Sequence, residues 1–92
     1  MKYKIFEPKT FYKSLLKLSD EEQKRVLLKL STYIYPIISK QPHFGPNIKK
    51  LKGEYSPFLR YRFGDYRLTY SIDESRQTVI LLSVSDRKDA YR

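Results

Sequence analysis

The chain has 92 residues, with 19 Lys and Arg against 10 Asp and Glu and a formal net charge of +9. That length leaves no room for a second domain, and so basic a balance points to nucleic acid or an acidic protein as partner. With no cysteine and a single histidine, disulfides, thiolate chemistry and cysteine-ligated zinc are excluded.

His43 is not expected to ligate a metal, because its sequence neighbourhood supplies no carboxylate partner; no metal and no cofactor are expected. No apolar run approaches the roughly 20 residues of a membrane span, and the basic N-terminus lacks the apolar stretch of a signal peptide. A cytoplasmic protein with no membrane partner is therefore expected.

In chain order, Tyr3 to Phe6 reads as a short strand stopped by Glu7-Pro8, and Pro8 suits a first helical turn, where its missing N–H is not needed. Phe11, Leu15, Leu16 and Leu18 recur at helical spacing and predict an amphipathic helix over about Lys9 to Leu18. Ser19 with Glu22 forms a capping box, and Asp20 and Glu21 sit at the positive end of the new helix dipole. The second helix carries Val26, Leu27, Leu30, Tyr33, Ile34 and Ile37 as an apolar stripe, and Pro36 is expected to kink it or fray its last turn. A tight turn makes the two helices antiparallel neighbours. Gln41 to Pro46, QPHFGP, reads as a loop.

After Ile48 to Leu51 and a turn at Lys52-Gly53-Glu54, three strands are predicted: about Phe58 to Phe63, Tyr66 to Ile72 and Thr78 to Val84. In the first, Arg60 and Arg62 fall on one face and Leu59, Tyr61 and Phe63 on the other. Beyond a Gly-Asp turn, Tyr66, Leu68, Tyr70 and Ile72 alternate with Arg67, Thr69 and Ser71. The third, TVILLSV, is apolar on both faces and is expected to be central. Short loops make this part an antiparallel meander. The expected architecture is a single α+β domain over 1–92, with an N-terminal strand and a helical hairpin packed on one face of a small antiparallel sheet.

Three arginines, Arg60, Arg62 and Arg67, thus converge on one hairpin. A guanidinium is always charged and offers a planar fork of donors that matches phosphate oxygens, so a phosphate-bearing partner explains the cluster best. Tyr33, Tyr61, Tyr66 and Tyr70 sit on apolar stripes and are expected to fill the core. Tyr91 differs: it stands among Arg87, Lys88 and Arg92 and belongs to no apolar periodicity.

The order of these elements, with Lys50-Leu51-Lys52-Gly53 before the meander, Gly64-Asp65-Tyr66-Arg67 opening its middle strand and a basic close from Ser85 to Arg92, resembles the RelE/ParE superfamily of bacterial toxins. The resemblance covers nearly the whole chain. It implies a toxin of a type II toxin–antitoxin system and one of two targets. RelE-like members enter the ribosomal A site and cut mRNA, whereas ParE-like members poison DNA gyrase and carry no nuclease site. For a RelE-like member it implies that Arg60, Arg67, Arg87 and Tyr91 surround the scissile phosphate, with Arg62, Lys50, Lys52 and Lys88 as further substrate contacts. The implied partners are an acidic, partly disordered antitoxin, the ribosome and mRNA.

The chemistry sharpens these expectations. RNA cleavage needs the 2′-OH deprotonated, the phosphorane stabilised and the leaving 5′-oxygen protonated; arginines supply the second need directly. Tyr91 either acts as a base, since nearby positive charge favours the phenolate, or stacks on a nucleobase. Many relatives carry His or Lys just before Arg87, where this chain has Asp86, which offers either a general base or an ion-pair partner that orients Arg87. The acid–base pair of a free-standing ribonuclease, two histidines or His with Glu, is not apparent along the chain. Positioning by the ribosome therefore becomes part of a metal-independent endoribonuclease mechanism. The alternatives are a gyrase inhibitor without nuclease activity and a non-catalytic basic binding module.

Overall fold

The computed structural model describes residues 2–53 and 57–86. In chain order the elements are β1 (Lys4–Phe6), α1 (Lys9–Leu15), α2 (Asp20–Lys29), a π-helical turn (Leu30–Ile34), α3 (Tyr35–Lys40), β2 (Ile48–Lys50), β3 (Leu59–Phe63), β4 (Tyr66–Asp73) and β5 (Thr78–Asp86). The strands form one sheet in the order β1-β5-β4-β3-β2. β2 through β5 pair antiparallel as a meander, but β1 pairs parallel with β5, so the sheet is mixed rather than wholly antiparallel. The helical segment between β1 and the meander is the crossover that a parallel pair requires. β5 is interior, flanked by β1 and β4, while the middle position of the five belongs to β4.

One face of the sheet meets the helices. Leu59, Tyr61, Phe63, Leu68, Tyr70, Val79, Leu81 and Val84 from the strands close on Phe11, Leu15, Val26, Leu30, Ile34 and Ile38 from the helices. Each such side chain contributes about 1.5–3 kcal/mol on burial. The helical positions are less regular than the predicted stripe. Val26, Leu30, Ile34 and Ile38 recur every four residues, an interval that overshoots an α-helical turn of about 3.6 residues. The π turn widens the helix and absorbs that drift, and it ends two residues before Pro36, which cannot donate to the preceding turn. Pro36 therefore neither ends nor frays the helix. Within the π turn Tyr33 points outward, at 50% exposure, with Lys29 Nζ 4.3 Å from the centre of its ring; Leu27, earlier in α2, is 40% exposed. Tyr33 is thus not a core residue, whereas Tyr61 and Tyr70 are.

The capping box forms as expected: the Ser19 hydroxyl accepts from the Glu22 amide and the Glu22 carboxylate accepts from the Ser19 amide. α1 stops at Leu15 instead of reaching Leu18, and Leu16 is left 71% exposed. The last helical turns of α1 lie along β5. Among the described residues β1 pairs with β5 only as far as Ile80, and beyond it the Ser14 hydroxyl accepts the Val84 N–H at 2.9 Å.

Candidate nucleic-acid interface

Among the described residues the opposite face of the sheet carries no helix, and its cations are set there by strand alternation. With Leu59, Tyr61 and Phe63 buried, Arg60 and Arg62 must project outward; with Leu68 and Tyr70 buried, Arg67 must do the same. Register then brings them together. Arg60 lies opposite Thr69 on one side and Lys49 on the other, while Arg62 lies directly opposite Arg67, which faces Ser85 across the sheet. Like charges opposite each other in a sheet are destabilising, so the Arg62 and Arg67 pairing works against the stability of the hairpin.

Lys49, Lys50, Leu51, Lys52, Arg60 and Arg67 line one cleft of about 400 Å³ at the β2 edge of this face. Four of the residues expected from sequence, Arg60, Arg67, Lys50 and Lys52, therefore share one cleft. Arg62 is exposed on the same face but outside that lining. Lys49 was not among the expected site residues. The signal for it was present: Ile48 is the apolar position of β2, so Lys49 must point the other way, towards Arg60. Arg60 is held in place by its own backbone neighbourhood, its Nη1 donating to the Asn47 carbonyl at 3.0 Å. Arg87, Lys88 and Tyr91 lie outside the described residues.

Gly64-Asp65-Tyr66-Arg67 has three separate jobs. Gly64 makes the two-residue turn between β3 and β4 at φ 57°, a left-handed conformation that favours glycine. The Tyr66 hydroxyl donates to Glu22 at the start of α2, which ties the hairpin to the helices. That bond is the main reason the Tyr66 phenol sits above its ordinary range and the Glu22 carboxyl below its own. Arg67 alone of the four faces the cleft.

Asp86 is not brought to that cleft. It lies in register with Tyr66, one residue beyond outward-facing Ser85, and lines a different cavity with Ser14, Lys17 and Leu18 against α1. A carboxylate partner for His43, unexpected from sequence, does exist: Glu74, 31 residues away, bonds His43 Nε2 through Oε1. Both belong to a cavity of about 250 Å³ that shares Lys50 and Leu51 with the basic cleft. Among the described residues, no group of three His, Cys, Asp or Glu is arranged to hold a metal ion, and no helix is long and apolar enough to cross a membrane.

The sheet, its helical hairpin and the basic face can now be set against known proteins. The family model for the ParE toxin of the type II toxin–antitoxin system parDE matches residues 9–91. Toxin RelG of Mycobacterium tuberculosis is 35% identical over 69 residues, which span 74% of this chain and 76% of RelG.

The chain belongs to the RelE/ParE superfamily of type II toxins.

Solved structures of the superfamily agree. The RelBE2 toxin–antitoxin complex of Mycobacterium tuberculosis aligns with a TM-score of 0.75 and 28% identity, over 95% of this chain and 93% of that one. The RelB–RelE antitoxin–toxin complex of Methanococcus jannaschii aligns with a TM-score of 0.63 and 28% identity, over 96% and 94%. The α+β fold is thus that of RelE toxins. The basic cleft lies on the face of the sheet opposite the core.

Proposed function

We propose that this toxin is a ribosome-dependent, metal-independent endoribonuclease that cleaves mRNA in the A site and so stops translation. The observation that carries the reading is the cleft in which Arg60 and Arg67 face one another's strand, with Lys49, Lys50 and Lys52 along its edge. Such a cleft holds an RNA backbone and stabilises the charge that builds on a phosphorane, where each preorganised donor is worth a factor of about 10² to 10³. Arg62 extends the cationic face. Arg87, Lys88 and Tyr91 complete the site in this reading, with Tyr91 as base or stacking partner. No carboxylate or histidine is among the described residues lining the cleft, so proton transfer and in-line geometry depend on the ribosome. The toxin acts in the cytoplasm and is held inactive by an acidic antitoxin, as the RelB complexes of its structural relatives support.

A second reading rests on the family model, which is that of ParE toxin. ParE-like members act on DNA gyrase, and the same cationic face would then contact protein or DNA without cutting RNA. Primer extension on mRNA in programmed ribosomes, comparing wild type with Arg67→Ala, separates the two. Cuts within the A-site codon that require both the ribosome and Arg67 support the nuclease. A folded protein that makes no cuts yet blocks gyrase supercoiling supports the ParE-like reading.

A further inference from the structure

His43 sits between two acceptor oxygens. Its backbone N–H donates to Gln41 Oε1 at 3.1 Å, which fixes that amide with oxygen towards the histidine. Ring Nδ1 lies 3.0 Å from the same Oε1, and ring Nε2 bonds Glu74 Oε1. An amide oxygen and a carboxylate both accept, and a neutral imidazole has one N–H to give. Both contacts are satisfied together when the ring carries two. The Glu74 carboxyl, held below its usual range first by His43 and then by the Tyr3 hydroxyl bonded to Oε2 at 2.9 Å, stays ionised opposite it.

The segment that His43 anchors leads into the basic cleft. Four residues on, the Asn47 carbonyl accepts from Arg60 Nη1 and from the Arg62 amide, each at 3.0 Å. β2, with its lysines, begins at the next residue. We propose that His43, as an imidazolium bridging Gln41 and Glu74, is a pH-responsive positioning residue that sets residues 41–47 and, through the Asn47 carbonyl, Arg60. This regulation of the cleft rests on the reading of that cleft as the RNA site. Loss of the second ring proton removes one of the two bonds and leaves Glu74 without its counter-charge.

The surroundings bear on the balance from every side. Glu74 faces the ring directly; Asp73, which raises the Glu74 carboxyl against the lowering by His43, is itself paired with Arg76 at 3.9 Å. Lys50 lines the same cavity. Tyr3 presents an edge-on ring 5.7 Å from the imidazole, and Phe44 packs tilted beside it. The site therefore depends on Glu74, and Glu74→Gln tests that dependence without removing an acceptor.

The test has two arms. In the free protein, ¹⁵N NMR of the imidazole across pH 5–9 reads the ring's protonation, while the resonances of Asn47, the Arg60 side chain and the Arg62 amide read the coupling. Two N–H groups on the ring at the acid end, and a single transition shared by His43, Asn47 and Arg60 that moves to lower pH in Glu74→Gln, are expected. His43→Lys, which keeps a cationic donor, is expected to abolish that shared transition while leaving the fold intact. In the ribosome assay, wild-type cleavage is expected to fall about three- to tenfold as the ring deprotonates, and His43→Lys to flatten that step. A ring with one N–H throughout, or Asn47 and Arg60 resonances that ignore the His43 transition, overturns the proposal. If no cleavage occurs with any variant while the NMR coupling holds, the nuclease reading has failed and the coupling has not.

Discussion

The two faces of β3 and β4 are built from alternate residues of the same strands, yet they differ in what they do with polar groups. On the helix side two tyrosine hydroxyls are engaged within the fold: the buried Tyr70 hydroxyl donates to the Pro42 carbonyl at 2.7 Å, and Tyr66 donates to Glu22. Burial raises the Tyr70 phenol well above its ordinary range. On the other side Arg60, Arg62 and Arg67 lie in adjacent register, two of them directly opposed. Like charges opposed in this way work against the stability of the sheet. One face of each strand thus closes the core, and the other gathers the arginines.

That division is most easily broken from the inside. Tyr70→Ala should destabilise the domain by about 3–5 kcal/mol, the usual range for truncating a buried aromatic. Tyr70→Phe, which strands the Pro42 carbonyl, should lose about 1–3 kcal/mol, both read from urea denaturation. If Tyr70→Ala unfolds no more readily than wild type, the helix-side face is not the core.

On the open face the expectation inverts. Arg60→Ala should shift the unfolding free energy by less than about 1.5 kcal/mol, the range of one hydrogen bond, while lowering ribosome-dependent cleavage by about 10² to 10³. Lys49→Ala, at the edge of the same cleft, should leave the unfolding midpoint nearly unchanged and weaken binding to single-stranded RNA with a reduced salt slope. Unfolding of either variant under assay conditions would erase the distinction between the faces.

Two smaller effects sharpen the boundary. Ser14→Ala removes the acceptor for Val84 N–H on β5, and should lose about 1 kcal/mol and speed exchange of that amide. Glu22 gives a pH signature. Its carboxyl lies below the ordinary range because of Tyr66 first, then the Ser19 amide and hydroxyl. The folded protein therefore binds fewer protons there than the unfolded chain. The stability from this site is complete above the ordinary carboxylate value of about 4.3 and is lost as pH falls through the lowered one. Glu22→Gln should flatten the acid limb of a stability-against-pH curve; an unchanged limb would show that Tyr66 and Glu22 are not coupled.

Much of this was legible along the chain because it is local. The Ser19 and Glu22 cap, the Gly64 turn and the alternation that sends Arg60, Arg62 and Arg67 to one face each depend on residues a few positions apart. Lys49 was legible too, through the apolar neighbour that fixes its direction. The outward turn of Tyr33 was not, because the π turn that causes it reconciles a four-residue apolar interval with the geometry of packing against the sheet. The His43 and Glu74 pair was hidden for a simpler reason. Nothing in a sequence shows that the loop after α3 and the end of β4 meet 31 residues apart.

The sequence by itself determined which side chains share a strand face, where the helices begin and that the chain is strongly basic, since period, caps and charge are properties of neighbours. The tertiary structure decided the parallel pairing of β1 with β5, the register that closes five cations around one cleft, and the placement of Asp86 on the face away from Arg67. Each is a choice among long-range pairings of similar local quality. Such choices are settled by how the whole apolar face is buried, and that is a property of the assembled chain.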